Sequence, residues 1–229
     1  MKPDIVIAHP VHLDYPLYRK FLHDNRKRFS KVIIVFTQMN ARGDYRPWLK
    51  EVMGKDDLIL IDNDKVTASD DWRNVAVNKA LKYTDARWIW FTEQDFFPKE
   101  GFWEWLEHDL SENDVLGIDV DGRLHPACLF VRREVINFTS KNFGVVKDKL
   151  DHFGLFQQEL EKIGAKIEHI LKDTYVHMAG LSQNLYLLRE GQEPNYDIFN
   201  FRKYIKNCLD SKMEMHEDFR KLFEKYLEK

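Results

Sequence analysis

Four short apolar runs constrain this chain more than anything else in it: Asp4-Ile-Val-Ile-Ala8, Lys31-Val-Ile-Ile-Val-Phe36, Leu58-Ile-Leu-Ile61 and Arg87-Trp-Ile-Trp-Phe-Thr92. They are rich in β-branched and aromatic residues, too short for helices, and do not alternate with polar residues. A strand apolar on both sides must be covered on both sides. Tyr15 to Arg28 has helical spacing through Leu17, Phe21 and Leu22, with basic residues near its end. A second helix runs from a cap at Ser69 or Asp70 to about Tyr83. Strand, helix, strand, strand, helix, strand predicts an α/β sheet buried on both faces.

The remainder is mixed. The spacing predicts a helix over Phe102 to Leu110, strands over Val115 to Ile118 and Leu124 to Val131, and a helix over Phe153 to Ile163 stopped by Gly164. Strands follow over residues 166–170 and 174–176. Gly191 and Pro194 then punctuate the chain. Beyond them Ile198, Phe201, Ile205 and Cys208, then Met215, Phe219, Leu222 and Tyr226, keep helical spacing. The expected organisation is a catalytic domain over 1–190 with a C-terminal pair of amphipathic helices over 191–229 packed on it.

A content of 44% hydrophobic and 14% aromatic residues argues for a folded chain over a disordered one. The net charge of −3 gives no bulk signal of a large nucleic-acid footprint. Cys128 and Cys208 are far apart and have no C-x-x-C partner, so neither a zinc site nor a disulfide framework is indicated. A reducing, cytoplasmic setting is expected. No apolar run approaches the twenty or so residues of a membrane span. A lipid-linked substrate would therefore be reached by peripheral contact.

The stretch Ile89-Trp-Phe-Thr-Glu93-Gln-Asp95-Phe-Phe-Pro98 ends an apolar strand in two acids one residue apart. Ligands of open α/β sheets bind beyond the carboxyl ends of strands. Residues i and i+2 of an extended chain point the same way, so Glu93 and Asp95 can form a hard oxygen site for Mg²⁺ or Mn²⁺. From Glu-x-Asp alone, a helix cap beside a solvated acid is the ordinary explanation.

The wider context changes that balance. The segment from Asp71 to Pro98 carries Asn78, the small Ala80 two positions on, and then Glu93-Gln-Asp95, with Glu93 fifteen residues after the Asn. It resembles the core of GT-A glycosyltransferases, especially family 2, over roughly residues 4 to 185. The resemblance implies a Rossmann-like, mixed but mainly parallel sheet flanked by helices. It implies transfer of a sugar from a nucleotide-diphosphate donor to a hydroxyl acceptor, with Mn²⁺ or Mg²⁺ neutralising the pyrophosphate. Asp95 is then the main metal-contacting carboxylate, with Glu93 at the ribose or the metal and Gln94 beside the donor. Glu93 departs from the family's Asp. Arg73 and Asn78 are implied near donor phosphate or sugar, although the family's Arg directly precedes the Asn, where this chain has Val77. His177, in Thr174-Tyr-Val-His-Met-Ala-Gly180, matches a late His that returns to the metal or pyrophosphate. Asp151 matches the acceptor base, with His152 beside it, and is equally placed to cap the following helix.

Donor-base recognition is less defined. His9-Pro10 and Thr37 end the first two strands, and Asp62 and Asp64 follow the third, where a polar turn is the alternative. The base is left open among uracil, guanine and others, with a UDP-sugar the leading expectation. His12 and His125 are site-edge candidates whose ordinary reading is structural or surface. Arg42, Arg46, Trp48 and Lys50 could line a basic cleft for a hydroxymethylated DNA base, but a solvated loop and helix is the commoner meaning of such a segment. Two other functions remain in view. A sugar nucleotidyltransferase would want a Gly-rich loop after the first strand, where this chain has His9-Pro-Val-His-Leu-Asp14. A non-catalytic binding protein would tolerate the Glu-for-Asp change.

Overall fold

The computed structural model describes residues 2–9, 16–36, 50–61, 72–93, 95–120, 122–144, 153–178, 180–211, 215 and 217–228, with backbone alone for 5–9, 16, 18, 36, 61, 72, 73, 182 and 186. The strands are β1 (Asp4–His9), β2 (Val32–Phe36), β3 (Leu58–Ile61), β4 (Trp88–Thr92), β5 (Phe96–Pro98), β6 (Val115–Val120), β7 (Arg123–Arg132), β8 (Ile167–His169) and β9 (Tyr175–His177). The α-helices are α1 (Pro16–Asn25), α2 (Trp72–Leu81), α3 (Phe102–Glu112), α4 (Arg133–Asn137), α5 (Gly154–Lys162), α6 (Leu181–Arg189), α7 (Ile198–Leu209) and α8 (Glu217–Leu227).

Seven strands form one sheet in the order β3-β2-β1-β4-β7-β6-β8. Six run parallel to one another, and β7 runs against its neighbours β4 and β6. The apolar runs are explained residue by residue. Val32, Ile34, Trp88 and Trp90 bury into one core, while Ile33, Val35, Ile89 and Phe91 bury into the other. The two-residue period of a strand divides each run between two faces, so every position must be apolar. Residues of α1, α3, α6, α7 and α8 share the first core, and those of α2, α4 and α5 the second.

Trp90 is the hub of the first core. Its indole stacks on Phe130 at 4.8 Å and meets Phe21, Phe29, Phe96, Phe102 and Trp103 within 6.2 Å. Its N–H is directed at Cys128 Sγ, 3.2 Å away. The helix pair α7–α8 enters this same cluster through Phe201, Tyr204, Phe219 and Phe223. Both cysteines are buried. No helix among the described residues is long and apolar enough to cross a membrane.

Several elements differ from the sequence reading. The first helix stops at Asn25 and a 3₁₀ turn covers Arg26–Arg28. There the Arg26 guanidinium bonds Asp57 at 2.6 Å and the Phe29 carbonyl at 2.8 Å. Asp57 also accepts the Val32 N–H, so this cluster turns the chain into β2. In α2 the buried face is Ala76, Val77, Ala80 and Leu81, while Tyr83 is exposed because the helix has already ended. The caps expected at Ser69 or Asp70 lie outside the described residues. Three elements were not expected: α4, α6, and β5, which pairs with β9 in a two-stranded antiparallel sheet.

Candidate functional site

The parallel part of the sheet reverses its order between β1 and β4: β2 and β3 lie to one side of β1, and β4 to the other. The crevice beyond the carboxyl ends of strands at such a switch point is where open α/β sheets take ligands. Glu93 follows the last residue of β4 there, and His9 ends β1 on the same edge.

Each acid is held by its backbone. The Thr92 hydroxyl and the Glu93 N–H both donate to the Ala127 carbonyl, at 2.9 and 3.3 Å. The Phe96 N–H then bonds the Glu93 carbonyl at 3.4 Å, turning the chain into β5. Strand β5 pairs with β9 in the register Phe96↔His177, and the Met178 N–H donates to the Asp95 carbonyl at 2.8 Å. The late histidine is thereby delivered beside the acids: His177 Nε2 lies 3.8 Å from Asp95 Oδ1.

A third segment arrives from β7. Its pairing with β6 jumps from Gly117↔Leu129 to Ile118↔His125, so residues 126–128 are extra on the β7 side. Pro126 has no N–H to give a ladder, and bulges of this kind re-aim side chains next to active sites. Gly117 sits at the jump because a Cβ there would lie 2.7 Å from Leu124 and 2.9 Å from Leu129 side-chain atoms. The outcome places His125 beside His177, ring centroids 4.7 Å apart. Ligand atoms of Glu93, His125 and His177 all lie within 4.8 Å of one another.

Burial lowers the pKa of His177 to about 4, helped by the charge of a neighbouring His125 and opposed by Glu93. At neutral pH its imidazole is uncharged, so the 3.8 Å approach to Asp95 is a contact between a carboxylate and a neutral ring and not an ion pair. A neutral imidazole keeps a lone pair for a cation. Two carboxylates with one such nitrogen suit Mn²⁺ well, and their oxygens also suit Mg²⁺. The donor set therefore fits the divalent ion that the resemblance implies.

Solved structures of other proteins share this architecture. A mannosyltransferase from Pyrobaculum calidifontis, in complex with GDP-Man and Mn²⁺, is similar at a TM-score of 0.55 and 12% identity, over 98% of this chain and 69% of that one. Glucosyl-3-phosphoglycerate synthase from Mycobacterium tuberculosis, in complex with Mn²⁺, UDP and phosphoglyceric acid, is similar at 0.53 and 12% identity, over 85% and 80%. The fold is GT-A. A third neighbour, HddC from Yersinia pseudotuberculosis, has a TM-score of 0.50 and 14% identity, over 78% of this chain and 94% of that one. No protein-family model matches the chain, and neither does any curated protein.

On this GT-A frame the structure brings together Glu93, Asp95 and His177 from the residues singled out in the sequence. His125 joins them more closely than its site-edge reading anticipated, and the sequence signal for it was Pro126 inside a strand. Asn78 has a structural engagement. Its side-chain nitrogen donates to Asn74 O, Asn74 Oδ1 and Lys141 O, while Asn74 Oδ1 also takes the Phe143 N–H. The pair thus ties α2 to the segment after α4. Val77, where the family carries arginine, is 1% exposed against the sheet, a place where a guanidinium would be desolvated. Arg73 lies in the first turn of α2, and its side chain, like that of His9, is outside what the structure describes. Pro10, His12, Thr37, Arg42, Arg46, Trp48, Asp62, Asp64, Gln94, Asp151 and His152 also lie outside the described residues.

Proposed function

We propose that the chain is a metal-dependent glycosyltransferase that moves a sugar from a nucleotide-diphosphate donor to a hydroxyl acceptor. The observation that carries this reading is the convergence of Glu93, Asp95 and His177 at the switch point between β1 and β4. Asp95 and His177 hold Mn²⁺ or Mg²⁺, and Glu93 contacts the ion or the ribose. When bound, the ion offsets the charge that develops on the departing nucleotide diphosphate. His9, Pro10, Thr37, Asp62, Arg73 and Gln94 are assigned to the donor, with a UDP-sugar the first to test. In an inverting course Asp151, with His152 beside it, accepts the proton of the acceptor hydroxyl as that oxygen attacks the anomeric carbon and the diphosphate leaves. The acceptor is a glycan or a lipid-linked glycan approached peripherally, ahead of a DNA base. The cytoplasm is the setting that suits such a donor.

Support comes from the fold and from a donor set matched to the ion. The deciding experiment is a panel of UDP- and GDP-sugars incubated with the protein, with Mn²⁺ or with chelator. Metal-dependent release of nucleotide diphosphate from one donor is the expected result. No turnover of any donor, together with no thermal stabilisation by Mn²⁺ plus UDP or GDP, would overturn the proposal.

A further inference from the structure

The two imidazoles at the site have different nitrogens to offer. The backbone N–H of Ala127 donates to His125 Nδ1 at 3.1 Å. A neutral imidazole that accepts at one nitrogen carries its proton on the other, so this bond fixes the Nε2–H tautomer. A nitrogen bearing a proton has no lone pair for a metal ion, but it is a donor to an anionic oxygen. The bond belongs to the bulge itself: His125, Pro126 and Ala127 are consecutive, and the Ala127 carbonyl on the same turn anchors Thr92 and Glu93. The tautomer and the placement of the acidic pair are therefore set by one piece of backbone. His125 is half-buried, and its ring lies 4.7 Å from that of His177.

We propose that His125 binds the diphosphate of the nucleotide, donating from Nε2–H to a phosphate oxygen, while His177 and the carboxylates take the cation. The inference rests on the glycosyltransferase reading and deepens it. It divides a cluster that looks like a three-ligand metal site into a metal side and an anion side. An ion at Asp95 and His177 would bring a coordinated diphosphate against the neighbouring ring, where a fixed donor strengthens its hold without adding charge to the site.

The test separates metal affinity from diphosphate affinity. Mn²⁺ binding without nucleotide is followed by electron paramagnetic resonance, and UDP and GDP binding at saturating Mn²⁺ by calorimetry. His125→Ala should leave Mn²⁺ affinity within about twofold of the parent and weaken diphosphate binding by roughly tenfold or more, the usual scale for a hydrogen bond to a charged group. His125→Gln, which restores an N–H at similar reach, should recover much of that loss. His177→Ala should lose Mn²⁺ binding itself. His125→Leu fills the space without a donor and replaces the alanine variant if that one does not fold. Loss of Mn²⁺ affinity in the His125 variants matching that of His177→Ala would make His125 a ligand and overturn the proposal. So would unchanged diphosphate affinity. An unsubstituted protein that binds neither Mn²⁺ nor diphosphate would overturn the underlying reading as well.

Discussion

Phe96 stands opposite His177 in the β5–β9 pair, and this register brings the His177 imidazole to 3.8 Å from Asp95. Phe96 is fully buried and packs edge-on against Trp90 at 6.0 Å. The aromatic residues around the acids are thus the footing on which the two-stranded sheet carries its histidine. The chemistry of the pair can be tested directly. Asp95→Asn keeps the shape and removes a charge, and it should reduce metal-dependent donor turnover by at least tenfold. His177→Ala should weaken Mn²⁺ binding by a similar factor. Steady-state rates against Mn²⁺ concentration check both, and undiminished turnover in Asp95→Asn would remove it from the metal site.

The depressed pKa of His177 has a consequence for stability. The folded ring protonates only near pH 4, whereas in the unfolded chain it does so near 6.5. Between these values the unfolded state binds the extra proton, so the free energy of unfolding falls as pH drops from about 6.5 towards 4. Without added metal, the loss at pH 5 should be about 2 kcal/mol from this residue. Urea unfolding of the parent and of His177→Phe at pH 7 and pH 5 measures it. The parent should lose more on acidification, and an equal loss in both would show that other groups carry the effect.

Asn184 fastens the last two helices to the rest of the molecule. It is 1% exposed, donates to the Tyr196 carbonyl at 2.5 Å and accepts the N–H groups of Asn195 and Tyr196 at 3.1 and 3.0 Å. Tyr196 also lies against Gly180, whose φ of +78° and 2.6 Å approach leave no room for a Cβ. Asn184→Ala should destabilise the fold by about 1–2 kcal/mol, because it removes three hydrogen bonds that a buried side chain makes to the backbone of a partly exposed turn. Hydrogen exchange should rise first in residues 198–209. A variant as stable as the parent would refute the clamp.

Gly117→Ala tests the bulge. The added methyl meets two leucine side chains that are themselves buried, so repacking costs about 1–3 kcal/mol. The displaced strand carries His125, so diphosphate binding should weaken more than Mn²⁺ binding. Thermal unfolding and the two titrations named above report on each part. A fully stable variant with parental binding would show that the close approach there is unimportant.

Strands such as β2 and β4 were legible in the sequence because their residues divide between two cores, which makes each run almost wholly apolar. Helices α3, α5, α7 and α8 were legible from their apolar spacing. The sequence carried α2 to about Tyr83, two residues past its end at Leu81, and Tyr83 is exposed there. Strand β5 was not visible: three residues, Phe96–Pro98, become a strand only by pairing with Tyr175–His177, which no local pattern announces. Helix α6 was not visible because only nine residues, Leu181–Arg189, carry its apolar spacing. At the site, the acids and His177 were legible by spacing and resemblance. His125 was not, because its position depends on a register jump that only the folded β6–β7 pair makes explicit.

The pairing of Phe96 with His177 joins residues eighty-one positions apart. On a ribosome, the chain through β7 emerges before the histidine does, and contacts of such long separation form late. Synthesis interrupted before Tyr175 would leave a nascent chain holding most of its sheet and no imidazole at Asp95. On the proposed reading, competence to bind the ion would therefore be acquired near the close of folding, and the acids would not be completed as a cation trap while the protein is still being made.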